Sequence, residues 1–258
     1  MSNRYILRTL LILSALCTLT ACGKWSDAQS VPSTTVAPST TTTLVETGIS
    51  ASGQRNGPTT QASQLKLLEL GFWLADPNGK FDDTTTQAVM AFQKYFQLRP
   101  TGSINAATAY LLERMSIPAR AMTIEGNLAE VDKSRQLLFL VQDGITTYVM
   151  NASTGDDRSY EEPDANSPGV VIKGTAVTPV GTFKIDRERP DGWWIGDLGQ
   201  IYRPKYFSGG VAIHGSMSVP AYPSSHGCVR VTTKAMDFIW DNDILPRGTQ
   251  VLVYGEIS

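Results

Sequence analysis

A chain of 258 residues accommodates one large domain or two small ones, and its 41% apolar content is that of a globular protein. With 22 basic and 24 acidic residues the net charge is −2, and no basic stripe or acidic tract interrupts the sequence. This balance argues against a nucleic-acid surface and a solvating tail, leaving an enzyme or a binding protein.

The N-terminus reads as a targeting segment. Arg4 and Arg8 flank an apolar start, and the run Thr9 to Ala21 carries no charge. At 13 residues it is shorter than the ~20 that a spanning helix needs. A basic beginning, a short apolar run and small residues at its end are the layout of a secretory signal peptide over residues 1–21. Leu19-Thr20-Ala21-Cys22 resembles the lipobox of bacterial lipoproteins, which implies cleavage before Cys22 and attachment of a diacylglycerol to its thiol. Ordinary cleavage after Ala21-Cys22-Gly23 is the alternative. Lipidation predicts a protein outside the cytoplasm, anchored to the bacterial membrane and facing the cell wall. Of the three cysteines, Cys17 then leaves with the signal peptide and Cys22 is acylated, so Cys228 is the one free thiol and no disulfide forms within a chain. An unpaired thiol in an oxidising compartment is a liability unless it is buried or used.

Residues 22–59 are rich in Ser, Thr and Pro and poor in large apolar side chains, which predicts a disordered linker. Residues 60–117 read as a small three-helix domain. Ala62, Leu65, Leu68 and Phe72 recur at helical spacing with Gly71 as a stop, Asn78-Gly79 marks a turn, Val89, Phe92 and Phe96 share a second helical face, and Asn105 caps a third helix running to about Met115. The order Leu70-Gly71-Phe72, Asn78-Gly79-Lys80-Phe81-Asp82, Ala88-Val89 and Phe92-Gln93 resembles the three-helix peptidoglycan-binding domain. Asp82 stands where that family has a second glycine. The resemblance implies wall binding, with a purely structural or docking role as the alternative.

From about Met122 the pattern changes to strands: Leu137 to Val141, Thr146 to Val149, Val170 to Ile172, Gly181 to Ile185, Val211 to Ile213 and Val251 to Tyr254. One helix follows Cys228, capped by Thr232 or Thr233, with Met236, Ile239 and Trp240 on one face. The expected fold class is therefore multidomain α and β: a three-helix domain followed by a mostly-β, mixed-sheet domain over residues 122–255.

Both histidines of the chain lie near the mature thiol. His214 follows the strand Val211-Ala212-Ile213, and His226 sits in Ser225-His226-Gly227-Cys228-Val229-Arg230. Thiol catalysis needs a thiolate, an imidazole within reach and donors for an oxyanion, and this stretch supplies each. His214 can take the thiol proton and hold the thiolate as an ion pair, while Gly227 lets the backbone approach a substrate. His226 as the base, Cys228 as a buried structural thiol, and a zinc site of His214, His226 and Cys228 are the competing readings; no metal-ligand spacing supports the last.

The Ser225–Arg230 motif, the upstream Ile213-His214-Gly215 and Thr178-Pro179-Val180-Gly181-Thr182-Phe183 together resemble the YkuD-like L,D-transpeptidases. That resemblance implies Cys228 as nucleophile and His214 as base, with the main-chain carbonyl of Gly215 orienting the imidazole. It places His226 and Gly227 at the oxyanion region and Arg230 and Ser225 on the substrate side. Trp193, Trp194, Tyr202 and Tyr206 either form an aromatic groove for peptide stems, with Trp194 and Tyr202 as the substrate contacts, or belong to the β core. Only ten residues separate His214 from Ser225, fewer than in many members, and Gly215 stands where some have Ser. The implied reaction is acyl transfer on peptidoglycan tetrapeptide stems by a monomer that needs no cofactor, metal or nucleic acid. Hydrolysis as an L,D-carboxypeptidase and a catalytically silent wall-binding lipoprotein are the alternatives.

Overall fold

The computed structural model describes residues 48–257. The expected signal peptide, the lipidated Cys22 and the linker up to residue 47 lie outside the described residues.

The helical unit contains α1 (Pro58–Glu69), α2 (Asp83–Tyr95) and α3 (Ala106–Arg114). Pro58 opens α1, where a missing N–H costs nothing. Asp82 caps α2 by accepting from the Thr85 N–H at 2.9 Å, and Asn105 caps α3 through the Thr108 N–H at 3.0 Å. The cap explains why an aspartate occupies the position where the resemblance has glycine. Gly71 has a φ of 88° just after α1, as expected of a helix stop.

Two expectations change here. The linker does not extend to residue 59: Gly53 and Ile104 exchange two backbone hydrogen bonds of 3.0 Å, and Ser52 is buried. The core-facing stripe of α1 also excludes Leu65, while Leu68 packs half-buried against the core. Leu65 is exposed, whereas Thr60, Ser63, Gln64 and Leu67 are buried. The buried Gln64 amide donates to Lys80 O and Thr85 Oγ1, each at 2.8 Å, and accepts the Gly79 N–H at 2.7 Å, so it holds the Asn78-Gly79 turn. A face that buries a satisfied polar residue is invisible to apolar periodicity.

The strands form two sheets and a hairpin. The first sheet runs β3 (Ile145–Asn151), β2 (Leu137–Gln142), β1 (Leu128–Asp132), β12 (Gln250–Tyr254) and β6 (Gly181–Lys184), with β1 and β12 parallel. The second runs β11 (Val229–Thr232), β10 (Val211–Ser216), β9 (Gly199–Ser208) and β7 (Arg187–Glu188), with β8 (Trp193–Gly196) also paired to β9. β4 (Ser159–Pro163) and β5 (Val171–Thr175) make the hairpin. Helix α4 (Thr233–Asp241) is capped by Thr232, which accepts the Ala235 N–H at 3.1 Å; Met236 and Ile239 are buried and Trp240 is half-buried.

One core joins both sheets and α4, and a second joins the helices to the outside of the first sheet. Strand β2 belongs to both: Leu138 and Leu140 enter the first core, while Leu137 and Phe139 meet Phe72 and Phe92 in the second. This is why β2 is apolar at consecutive positions, since a strand covered on both faces cannot alternate. The helical unit also extends the sheet, for Trp73 N–H donates to Val149 O at 3.1 Å and Val149 N–H to Gly71 O at 2.8 Å. The two expected domains therefore pack as one body.

Candidate active site

Parallel pairing of β10 with β11 sets the site. Ile213 lies opposite Val229 and His214 opposite Arg230, so Cys228, one step before β11, reaches the same end of the sheet as His214. Both border a cleft of about 500 Å³, together with Ser225, His226, Arg230, Trp194 and Tyr206. Cys228 is half-buried, and its Sγ lies 3.8 Å from Gly210 O.

His214 is buried, and its Nδ1 lies 2.8 Å from Gly215 O. A carbonyl only accepts, so Nδ1 carries the proton and Nε2 is left as the acceptor. Burial, reinforced by the Arg230 charge, pushes the imidazole down to about 4 against the Gly215 hydrogen bond. Burial pushes the Cys228 thiol up, opposed by the Ala212 backbone and by Arg230. Desolvation therefore works against the charged form of each partner in the expected thiolate–imidazolium pair.

The loop before Cys228 is built by hydroxyls. Ser225 is buried, with its Oγ donating to Cys228 O and accepting the Gly227 N–H at 3.0 Å. Its hydroxyl holds the turn, and the residue also borders the cleft. Thr178 is fully buried, donates to Gly227 O at 2.7 Å and accepts the Gly155 N–H at 2.9 Å. Because a trans peptide points its C=O and N–H in opposite directions, this clamp turns the Cys228 N–H away from Thr178. Gly227 has a φ of 131°, and a Cβ there would lie 2.7 Å from Val177 O, so only glycine fits.

Of the aromatic residues, Trp194 and Tyr206 border the cleft and Tyr202 does not. Arg203 has a φ of 47° at a register shift between β9 and β10, which is the geometry of a bulge. The bulge turns Tyr202 toward α4, where its hydroxyl donates to Asp237 Oδ1 at 2.9 Å. The expected substrate contact at Tyr202 is therefore replaced by a packing role. Its ring also explains Gly215: a Cβ there would sit 2.8 Å from Tyr202 Cδ1 and 3.1 Å from Thr233 Cα. Trp193 packs on Tyr202 with ring centroids 5.2 Å apart. Arg203 pairs with Asp237 at 2.6 Å and the buried Lys205 with Glu188 at 2.6 Å.

His226 borders the cleft beside β4. Its Nε2 lies 3.8 Å from Glu162 Oε1, and its ring meets Tyr160 edge to face at 4.8 Å, both on β4. Arg230 borders the cleft, with its closest hydrogen-bonding atom, Ser224 Oγ, at 3.5 Å. Among the described residues no three His, Cys, Asp or Glu side chains converge as metal ligands.

The short loop between His214 and Ser225 is held from outside. Asn151 Nδ2 donates to Gln87 Oε1 at 2.6 Å, and Asn151 and Gln87 both donate to Val219 O at 3.2 Å. Gln87 lies on α2, so the helical unit reaches the active-site loop. The Thr178 motif is visible in the sequence but its clamp is not, and nothing there singles out Gln87, Arg187 or Arg189. The clamp hydroxyl had a motif to point to it; the others had no local signal.

Residues 126–253 match the L,D-transpeptidase catalytic domain and residues 56–112 the peptidoglycan binding domain. The crystal structure of an L,D-transpeptidase from Xylanimonas cellulosilytica is 39% identical, covering 77% of this chain and 94% of that one with a TM-score of 0.69. An L,D-transpeptidase from Stackebrandtia nassauensis is 21% identical over 78% of this chain and 93% of that one, with a TM-score of 0.45. One from Mycobacterium smegmatis is 19% identical over 50% and 58%, with a TM-score of 0.38. No curated protein matches the chain. The chain belongs to the L,D-transpeptidase family, and joins its catalytic domain to a peptidoglycan-binding domain.

Proposed function

We propose that the protein cross-links peptidoglycan through a thioester on Cys228. The carbonyl of the third residue of a tetrapeptide stem sits over Sγ. His214 Nε2 takes the thiol proton as the S–C bond forms, and the Cys228 N–H donates to the developing oxyanion. Collapse breaks the C–N bond, His214 returns the proton to the leaving amine, and terminal D-Ala departs. An amine of a neighbouring stem then gives its proton to His214 and attacks the thioester, which releases the thiol and forms the cross-link. Water in place of that amine makes the same site an L,D-carboxypeptidase.

The observation that carries this reading is the Nδ1–H bond of His214 to Gly215 O, which leaves Nε2 as a free base in the cleft that Cys228 borders. Burial that raises the thiol and lowers the imidazole suits it, since the proton then moves as the nucleophile attacks. The peptidoglycan-binding unit supports a wall substrate and an extracytoplasmic location, and the lipobox-like Leu19-Thr20-Ala21-Cys22 is the reason to place a lipid anchor on Cys22 of a monomer.

The test incubates the protein with a tetrapeptide-bearing muropeptide and follows products by mass spectrometry. Loss of D-Ala that is absent in Cys228→Ala is the expected result; dimer identifies transfer, and tripeptide identifies hydrolysis. Substrate left intact by the wild-type protein would sink the proposal.

A further inference from the structure

Three guanidinium groups border the cleft: Arg187, Arg189 and Arg230. None forms an ion pair among the described residues, whereas nearby Arg203 is held by Asp237 and Asp241. Asp197 is the one carboxylate bordering the cleft among the described residues, and its Oδ1 accepts from Asn166 Nδ2 at 2.9 Å. Arg187 sits over the Tyr206 ring, 4.0 Å from its centroid, and Arg189 over Trp194 at 3.6 Å. Arg187 Nη2 donates to Gly209 O at 3.2 Å, and the aromatic faces leave the remaining in-plane donors of both guanidinium groups for a ligand. The Arg189 Nε is buried with no hydrogen-bond partner. A buried cationic donor left unmet is costly, and a planar anion is what satisfies a guanidinium best.

We propose that this cleft selects acyl donors carrying two or more free side carboxylates over donors in which those groups are amides. The inference rests on the transpeptidase reading of the same site. A carboxylate offers two acceptor oxygens to a guanidinium fork. A carboxamide offers one oxygen and turns an NH₂ toward donors that cannot accept it. Arg187 and Arg189 are the specificity residues, and Arg230 adds the third charge nearest the thiol.

The experiment uses the full chain and two synthetic tetrapeptide donors, both with a free terminal D-Ala carboxylate. They differ only in having side carboxylates or side carboxamides, and kcat/KM for D-Ala release is compared. The wild type is expected to favour the carboxylate donor by about 10- to 100-fold, the range of a charged hydrogen bond. Arg187→Gln and Arg189→Gln each shrink that ratio, the double variant brings it close to unity, and Arg189→Lys recovers only part. A ratio taken within one variant is independent of how much of it folds. Equal use of both donors by the wild type, or an unchanged ratio in the double variant, overturns this proposal alone. Release from neither donor overturns the transpeptidase reading and this proposal with it.

Discussion

Replacing Thr178 by Val keeps the shape of the side chain and removes the hydroxyl that joins Gly155 to Gly227. The variant leaves a buried carbonyl, previously bonded at 2.7 Å, and a buried N–H, previously bonded at 2.9 Å, without partners. Each costs about 1–3 kcal/mol, so a stability loss of about 2–6 kcal/mol is expected. The catalytic effect has a different origin. With Gly227 O released, the peptide before Cys228 can rotate and its N–H no longer faces a fixed point. Loss of one oxyanion donor lowers acylation by ~10²–10³. Thr178→Ser retains both hydrogen bonds and sacrifices one methyl, about 1 kcal/mol of packing. Urea unfolding of the two variants, paired with the initial rate of Cys228 acylation below the unfolding transition, separates the effects. Folded Thr178→Val that acylates at the wild-type rate would refute the clamp, as would Thr178→Ser that is equally slow.

The neutral imidazole predicts the pH profile. His214 acts as a base only when unprotonated, so the acid limb of kcat/KM falls near pH 4 and not near the ordinary ~6.5 of histidine; a limb at the ordinary value would show a solvated imidazole. Lys94 of α2 is buried without a carboxylate, donating to Gln136 O at 3.0 Å and Ala152 O at 3.2 Å, and burial lowers it to about 7. The unfolded chain then binds one more proton than the native one from pH 7 up to the ordinary lysine value, so stability rises with pH across that window. Chemical unfolding should show wild type gaining a few kcal/mol over Lys94→Met between pH 7 and ~10; parallel curves would show that the group stays charged. Gly215→Ser drives a Cβ to 2.8 Å from the Tyr202 ring and should lower stability by about 1–3 kcal/mol, with loss of activity from a displaced His214; a neutral melting point would contradict the contact. Gln87→Ala removes a hydrogen bond to Val219 O and should lower the rate of cross-linking more than that of D-Ala release, read from dimer and tripeptide in one digest; equal losses would remove the loop-positioning role.

Much of this architecture is legible in the sequence because its signals are local. Helix caps at Asn105 and Thr232, the Gly71 stop and the apolar run of β2 each act within a few residues. The cluster of both histidines around Cys228 comes from chain proximity, and parallel pairing of β10 and β11 preserves it. What escapes is long-range. The polar face of α1 is satisfied by a turn 15 residues away at Gly79. The side taken by Tyr202 depends on a bulge at Arg203, since one extra residue reverses which side chains meet the cleft. The downward shift of His214 and the upward shift of Cys228 come first from burial, which motif spacing does not carry. The arginines come from β7 and the turn beyond it, about 40 residues before the thiol.

The central claim is that Cys228 carries the acyl group in transit. Its most direct test mixes the protein with excess tetrapeptide donor and no acceptor amine, quenches in acid and maps the adduct by digestion and mass spectrometry. The account predicts one tripeptide acyl group on the peptide containing Cys228, slow to form in His214→Ala and absent in Cys228→Ala. D-Ala release with no adduct on Cys228, or unchanged release in Cys228→Ala, would contradict it.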